Sequence, residues 1–260
     1  MPSTFTFYTI DTLMKNLLFL STILIGCLNA QPTLAYFNDL DGLLNDHIKT
    51  VTKKGITYNG VDYDAWAQDP RHEKVRNEIL STNPSTLGSK NEKLAYWINT
   101  YNVLTIDLIN SQNERDSIKN LGSIFASAWK SHKWTFADGR DLHLDNIEHD
   151  IIRKMNEARI HFAVNCAAKS CPDLRSESYR PNKLDAQLDE QTHLTFKNST
   201  KGYTKLDGEN AVRVTKVMDW FDKDFNGGNL NSWLSPYFPN IIDDNTKVKF
   251  FSYDWSLNKQ

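Results

Sequence analysis

The sequence predicts an α+β protein: a single globular domain of mixed helices and β-hairpins behind an N-terminal secretory signal. Three observations carry that expectation. Apolar residues make up 40 % and aromatics 12 % of 260 residues, a globular composition with enough chain for a full core. Segments of helical apolar spacing are interleaved with short alternating segments near Asn-Gly and Asp-Gly pairs, without the strict alternation of a βαβ fold. Near its start the chain carries a short, uncharged apolar run directly behind a lysine.

That run, Leu17 to Leu28, is shorter than a bilayer-spanning helix and has the length of a signal-peptide core. Met14 directly before Lys15 marks the expected translation start. Two processing outcomes stay open. Leu28-Asn29-Ala30 before Gln31 offers a small residue at a cleavage site, whereas Leu24-Ile25-Gly26-Cys27 resembles a lipobox and would place a lipid anchor on Cys27. Either outcome makes the protein exported, periplasmic or extracellular, with residues 1–30 as extension and signal and 31–260 as the domain. Formal charge is −2 for the whole chain, and Asp11 and Lys15 cancel within the leader. A near-neutral domain gives no electrostatic footprint for nucleic acid, and membrane contact is expected only through Cys27.

Along the domain, Phe37, Leu40, Leu43, Leu44, Ile48 and Val51 predict a helix over 36–54. Residues 55–63 predict a hairpin turning at Asn59-Gly60. Helices follow over 64–82 and 90–110, separated at Asn83-Pro84, and a hairpin over 130–144 around Asp138-Gly139. Further on come a helix over 146–158, a strand over 159–166 and a helix over 182–198. A hairpin over 203–215 follows, then a helix pair over 216–238 broken at Gly227-Gly228, and a strand near 247–253. Trp220, Phe221 and Phe225 fall at helical spacing and are expected in the core. Tyr253-Asp254-Trp255 is expected to dock the last strand, with Asp254 alternatively bonding a histidine.

Two segments place polar groups where burial is expected. On the 90–110 helix, Leu94, Trp97, Ile98, Tyr101, Thr105 and Leu108 form one stripe, and Ala95, Asn99, Asn102 and Ile106 a second beside it. A helix apolar over most of its surface carries Asn99 and Asn102 inside, as a structural network or as part of a site. Asp145 and Glu148 have capping-box spacing, yet Glu148 shares a face with Ile152 and Met155. An inward Glu148 would have its pKa raised, and His149 stands next to it.

The densest concentration of reactive side chains is Ile160-His161-Phe162-Ala163-Val164-Asn165-Cys166, running into Ala167-Ala168-Lys169-Ser170-Cys171-Pro172. Read as a strand, it puts His161, Ala163 and Asn165 on one face and ends in a turn of small residues, where reactive groups tend to be displayed.

These blocks carry a family resemblance. Lys93 to Asn102, Leu144 to His149 with Ile152-Arg153, Ile160 to Cys166 with Ser170 to Leu174, the Trp220-Phe221 and Asp224-Phe225 pairs, and Tyr253 to Asn258 occur in order and resemble the domain of unknown function 547 family. The resemblance runs from about residue 60 to the end, and Asp173 stands where a second proline is common. It implies a shared fold and supports this choice of site residues. It also implies a domain used in exported bacterial proteins and, in plants, beside leucine zippers, and supplies no substrate.

Two functional readings follow. The first is a cell-envelope binding or scaffold module in which Cys166 and Cys171 form a disulfide, as an even cysteine count in an oxidising compartment implies. That turn, with His161, Asn165, Asn99 and Asn102, would frame a rigid polar pocket for a small molecule, peptide or glycan. The second is a thiol-dependent hydrolase or acyl-transfer enzyme. Cys171 or Cys166 is then the nucleophile, His161 or His149 the base, Glu148 or Asn165 the orienting group, and amides of the 167–171 turn the oxyanion donors. The chain order opposes it, because in papain- and transglutaminase-like enzymes the cysteine precedes the histidine. Cys-x4-Cys spacing argues against a thioredoxin-like motif. His149, His161 and a cysteine lack the paired spacing of a zinc site, so neither metal nor cofactor is expected.

Overall fold

The computed structural model describes residues 35–123 and 127–260; the leader, Met14 and Cys27 lie outside the described residues. Helix α1 (Tyr36–His47) buries Tyr36, Phe37, Leu40, Leu43 and Leu44. It stops at His47, where a β-branched run begins (Ile48, Thr50, Val51, Thr52), and residues 48–53 form strand β1 (Ile48–Lys53). The predicted helix over 36–54 is thus corrected in its last turns: apolar spacing continues there, but these side chains favour a pleated backbone. β1 pairs with β2 (Ile56–Val61) across Lys54 and Gly55, both left-handed. The turn is therefore not at Asn59-Gly60, which sits inside β2. Gly60 is glycine because the C-terminal residue passes over it: a Cβ there would meet the Gln260 backbone at 3.3 Å.

Helices α2 (Tyr63–Gln68) and α3 (Pro70–Ser81) divide the predicted 64–82 helix, since Pro70 starts a new helix capped by the Asp69 side chain. Helix α4 (Lys90–Ser111) opens with a Ser89/Glu92 capping box and is buried along nearly its whole length from Leu94 to Ile109. It is the central element, and Asn99 and Asn102 lie inside as expected. The short hairpin β3 (Trp134–Thr135) and β4 (Asp141–Leu142) forms where predicted.

The next two expectations need correction. The predicted 146–158 helix is a π-helix over Asn146–Ile152 followed by a 3₁₀ turn, ending at left-handed Asn156. Asp145 makes no side-chain cap. The strand expected over 159–166 is instead a 3₁₀ turn over Ala158–Phe162 and an irregular stretch without a partner strand. Its alternation is too short to decide between these forms, and side chains satisfy its backbone: Asn102 Oδ1 accepts from Asn165 N at 2.8 Å and Asn102 Nδ2 donates to Ala163 O at 3.0 Å.

Helix α5 (Leu184–Lys197) precedes a three-stranded sheet. In it β6 (Ala211–Val214) lies antiparallel to β5 (Tyr203–Lys205) and parallel to β7 (Lys247–Phe250). Between β6 and β7 the expected helix pair is reduced to short helices α6 (Val217–Trp220) and α7 (Leu230–Leu234) joined by 3₁₀ turns. The sheet and these turns enclose a core of Phe162, Phe196, Phe225 and Leu234. The C-terminal tail then threads between β2 and the 166–171 loop. Val61 N donates to Asn258 O, Asn258 N to Ala167 O, and Lys169 N to Ser256 O. Among the described residues no helix is long and apolar enough to cross a membrane.

Asn102 carries a measurable part of this architecture. Asn102→Ala leaves a buried N–H and a buried C=O unpaired, at about 1–3 kcal/mol each. A loss of roughly 2–5 kcal/mol in urea denaturation is the expected result.

Candidate active site

A cavity of about 280 Å³ opens where α4, the π-helix, the 166–171 loop, α6 and the C-terminal tail meet. Five of the sequence-selected residues border it: Glu148, His149, His161, Cys166 and Cys171. The asparagines do not. Asn99 holds the Tyr179 backbone through both its N–H and its C=O. Asn102 fixes the stretch before Cys166, and Asn165 accepts from Ala167 N while donating to Pro172 O. These three amides form the network that shapes the loop and make no wall of the cavity.

The loop brings its cysteines together. Ala167, a non-glycine residue at φ 61°, reverses the chain. Cys171 is buried, Cys166 is half-buried, and their sulfurs lie 2.9 Å apart as free thiols. The disulfide expected from the cysteine count is not formed. The Tyr253 hydroxyl lies 3.0 Å from Cys166 Sγ. Burial pushes the Cys166 thiol up, but hydrogen bonds from Cys171, Tyr253 and the Ala168 amide outweigh it and lower its pKa. Cys171 moves the opposite way, raised first by burial and then by Cys166. Burial and the neighbouring sulfurs also keep Tyr253 a neutral phenol, hence a donor.

The amides of the 167–171 turn were expected to hold an oxyanion. Four of the five are occupied by other acceptors, Ala167 N by Asn165, Lys169 N and Ser170 N by the C-terminal tail, and Cys171 N by Ala168 O. The donors that face the sulfur are the Ala168 amide and the Tyr253 hydroxyl.

On another wall, His161 stacks on Phe221, centroids 4.1 Å apart and planes within 12°. Its Nε2 lies 2.7 Å from Asp224 Oδ2. Asp224 is gripped on both oxygens by Arg153, at 2.6 and 3.0 Å. Burial raises the Asp224 carboxyl, but the bonds from Arg153 and His161 outweigh that and hold it below the usual carboxylate range. An ionised Asp224 accepts, so His161 Nε2 carries the proton and Nδ1 the lone pair. That Nδ1 is buried with no hydrogen-bond partner. Burial brings the His161 pKa down to about 4 despite the Asp224 charge. His161 is therefore a neutral imidazole at pH 7. The histidine's carboxylate is Asp224 and not Asp254, which caps Ser256 N.

The π-helix supplies the third group. Glu148 is buried, and burial raises its pKa against the pull of His149, the Tyr101 hydroxyl and Arg153. Trp129 Nε1 donates to Tyr101 at 3.1 Å. His149 Nδ1 accepts from Arg153. Trp129 packs edge to face on Trp255, Trp220 stacks on Trp255, and Tyr253 lies tilted against Trp220 and Trp255, together making an aromatic wall. Trp220 was expected in the core, yet it is 42 % exposed and borders the cavity.

Sequence reasoning by site chemistry missed Asp224, Arg153, Tyr253, Tyr101 and Lys201. The signal for Asp224, Arg153 and Tyr253 was their place in the ordered blocks. Lys201 had none. Its buried Nζ donates to Lys169 O, Cys171 O and Asp173 Oδ1 at 2.7–3.0 Å and pins the outer side of the cysteine loop.

The His161 shift has a consequence for stability. Its folded pKa of about 4 lies below the ordinary value of 6.5. Between these values the unfolded chain binds more protons, so stability rises with pH through that window and is lost as pH falls from 6.5 to 4. The expected loss is about 3 kcal/mol, and it disappears in His161→Phe, as urea denaturation across that range will read.

Residues 84–194 match the family model described as "Protein of unknown function, DUF547". No curated protein and no solved structure matches the chain. The matched stretch contains α4, the π-helix, His161 and the whole cysteine loop, while Asp224, Trp220 and Tyr253 lie beyond it. The stretch over residues 84–194 is thus similar to the DUF547 family.

Proposed function

We propose that this cavity is the active site of an exported thiol-dependent hydrolase or acyl-transfer enzyme with Cys166 as nucleophile. One observation carries the reading. A half-buried sulfur surrounded by thiolate-stabilising donors borders the same cavity as a His–Asp pair whose second ring nitrogen has no partner. Cys166, not Cys171, takes this role because it is the more exposed sulfur and receives the donors. Export rests on the leader alone.

In this reading the Cys166 thiolate attacks the carbonyl of an acyl group lying along the aromatic wall. As the sulfur loses its charge, the Tyr253 hydroxyl and the Ala168 amide turn to the developing oxyanion. His161 Nδ1 receives the proton of the nucleophile and returns it to the leaving group, and Asp224 holds the ring. The thioester then yields to water or to an acceptor activated by the same nitrogen. The order His161, Cys166, Asp224 along the chain is no obstacle, since such constellations are defined by geometry and role. Glu148, whose pKa burial raises, borders the same cavity. The acyl donor is a small molecule, peptide or glycan derivative that enters a cavity of this size. A disulfide-framed binding pocket is supported less well, because both sulfurs are thiols.

The test is turnover of p-nitrophenyl acetate and butyrate, with mass-spectrometric trapping of a thioester on Cys166. Cys166→Ala is expected to abolish turnover and the adduct. Tyr253→Phe removes a hydrogen bond to a charged group, worth about 1.5–3 kcal/mol, and is expected to slow iodoacetamide labelling of Cys166 at pH 7 roughly tenfold or more. Turnover that survives in Cys166→Ala would move the chemistry elsewhere.

A further inference from the structure

The second sulfur is not the nucleophile of the acyl transfer, yet the fold aims it at the first. Cys171 Sγ lies 2.9 Å from Cys166 Sγ and also accepts the Cys166 backbone N–H at 3.1 Å. The approach is imposed by the loop and not by a flexible side chain. Left-handed Ala167 folds the chain back, Lys201 holds the carbonyls of Lys169 and Cys171, and the C-terminal tail holds Ala167 O, Lys169 N and Ser170 N. Both cysteines border the cavity, but Cys166 is half-buried whereas Cys171 is only 3 % exposed. Bonded sulfurs stand about 2.0 Å apart. Closing this pair therefore asks for a shift of about 1 Å, within reach of side-chain rotation.

We propose that Cys166 and Cys171 form a reversible dithiol–disulfide couple that exchanges with small organic disulfides entering the cavity. Cys166 thiolate attacks one sulfur of RSSR, forming a mixed disulfide and expelling one thiolate that leaves as RSH. Cys171 then loses its proton and attacks Cys166 Sγ, breaking the mixed disulfide and expelling the second RSH. The sum is two protein thiols and RSSR going to one protein disulfide and two RSH: the protein pair is oxidised and RSSR is reduced. Cys166 is the attacking sulfur because it is accessible, and Cys171 the resolving sulfur because it is buried against it. In the oxidised form no thiolate remains for acyl transfer. Only that last consequence rests on the hydrolase reading; the couple itself does not.

The experiment is incubation of the reduced, purified full chain with cystamine, acid quenching, alkylation with iodoacetamide and peptide mapping. Mapping keeps Cys27 apart from the pair. The expected product has Cys166 and Cys171 joined, lighter by two hydrogens and resistant to alkylation until reduced, with two cysteamines released. In Cys171→Ser a stoichiometric cysteamine adduct accumulates on Cys166. A lasting adduct on wild-type Cys166 with Cys171 still alkylatable, any other pairing, or no reaction at either sulfur would overturn the couple. The wild-type map decides the matter even where the variant folds poorly. Ester turnover by the reduced protein is a separate readout, so either proposal can fail alone.

Discussion

Replacing Asp224 by asparagine is expected to slow ester turnover by about 10³-fold, the middle of the range that positioned acid–base groups contribute. Asp224 touches no reacting atom in the proposed reaction; it acts through His161. Its ionised oxygen accepts from Nε2, leaving the lone pair on Nδ1, and it stabilises the imidazolium formed when that nitrogen takes a proton. Asparagine keeps the shape and loses the charge. The sign of a second effect follows. The Asp224 charge raises the His161 pKa against burial, so its removal sends the ring's titration still lower than about 4. Following the His161 ring by NMR separates this from a general loosening of the fold, which would expose the ring and move its titration up. Turnover within threefold of the parent would leave His161 without an orienting partner that matters.

Lys201→Met is expected to cost about 3–5 kcal/mol, the usual result of breaking a buried charge pair by removing one partner. The Lys201 side chain is 5 % exposed and Asp173 receives its charge at 2.7 Å. Two backbone carbonyls of the cysteine loop lose their donor in the same substitution. For a domain of this size the melting temperature should fall by roughly 10 °C. Because the lost donor held the loop carbonyls, iodoacetamide labelling of Cys166 should slow as well. Lys197→Met, on an exposed position of α5, is the control and is expected to stay within about 0.5 kcal/mol. Equal melting temperatures for the two variants would show that the loop is held without Lys201.

The α+β class, the central buried helix with its two inward asparagines, and the hairpins near Gly139 and Gly208 were all legible from the chain. Each depends on local rules: apolar spacing, capping residues and turn residues act over a few positions. The errors have a common cause. The 48–54 segment and the 159–166 segment both carry short apolar patterns compatible with two backbone forms, and partners outside each segment chose between them. For the first it was β2; for the second it was Asn102, which supplies the backbone bonds a neighbouring strand would have supplied.

By itself the sequence picked out a cluster of side chains of reactive type, because histidine, glutamate and paired cysteines are informative by type and by closeness along the chain. It could not determine their partners. Asp224 meets His161 across 63 positions, Tyr253 meets Cys166 across 87, and Lys201 meets Cys171 across 30. Whether a thiol is activated or inert depends on donors within about 3 Å and on exclusion from water. Both are properties of packing, and only the tertiary structure decided them.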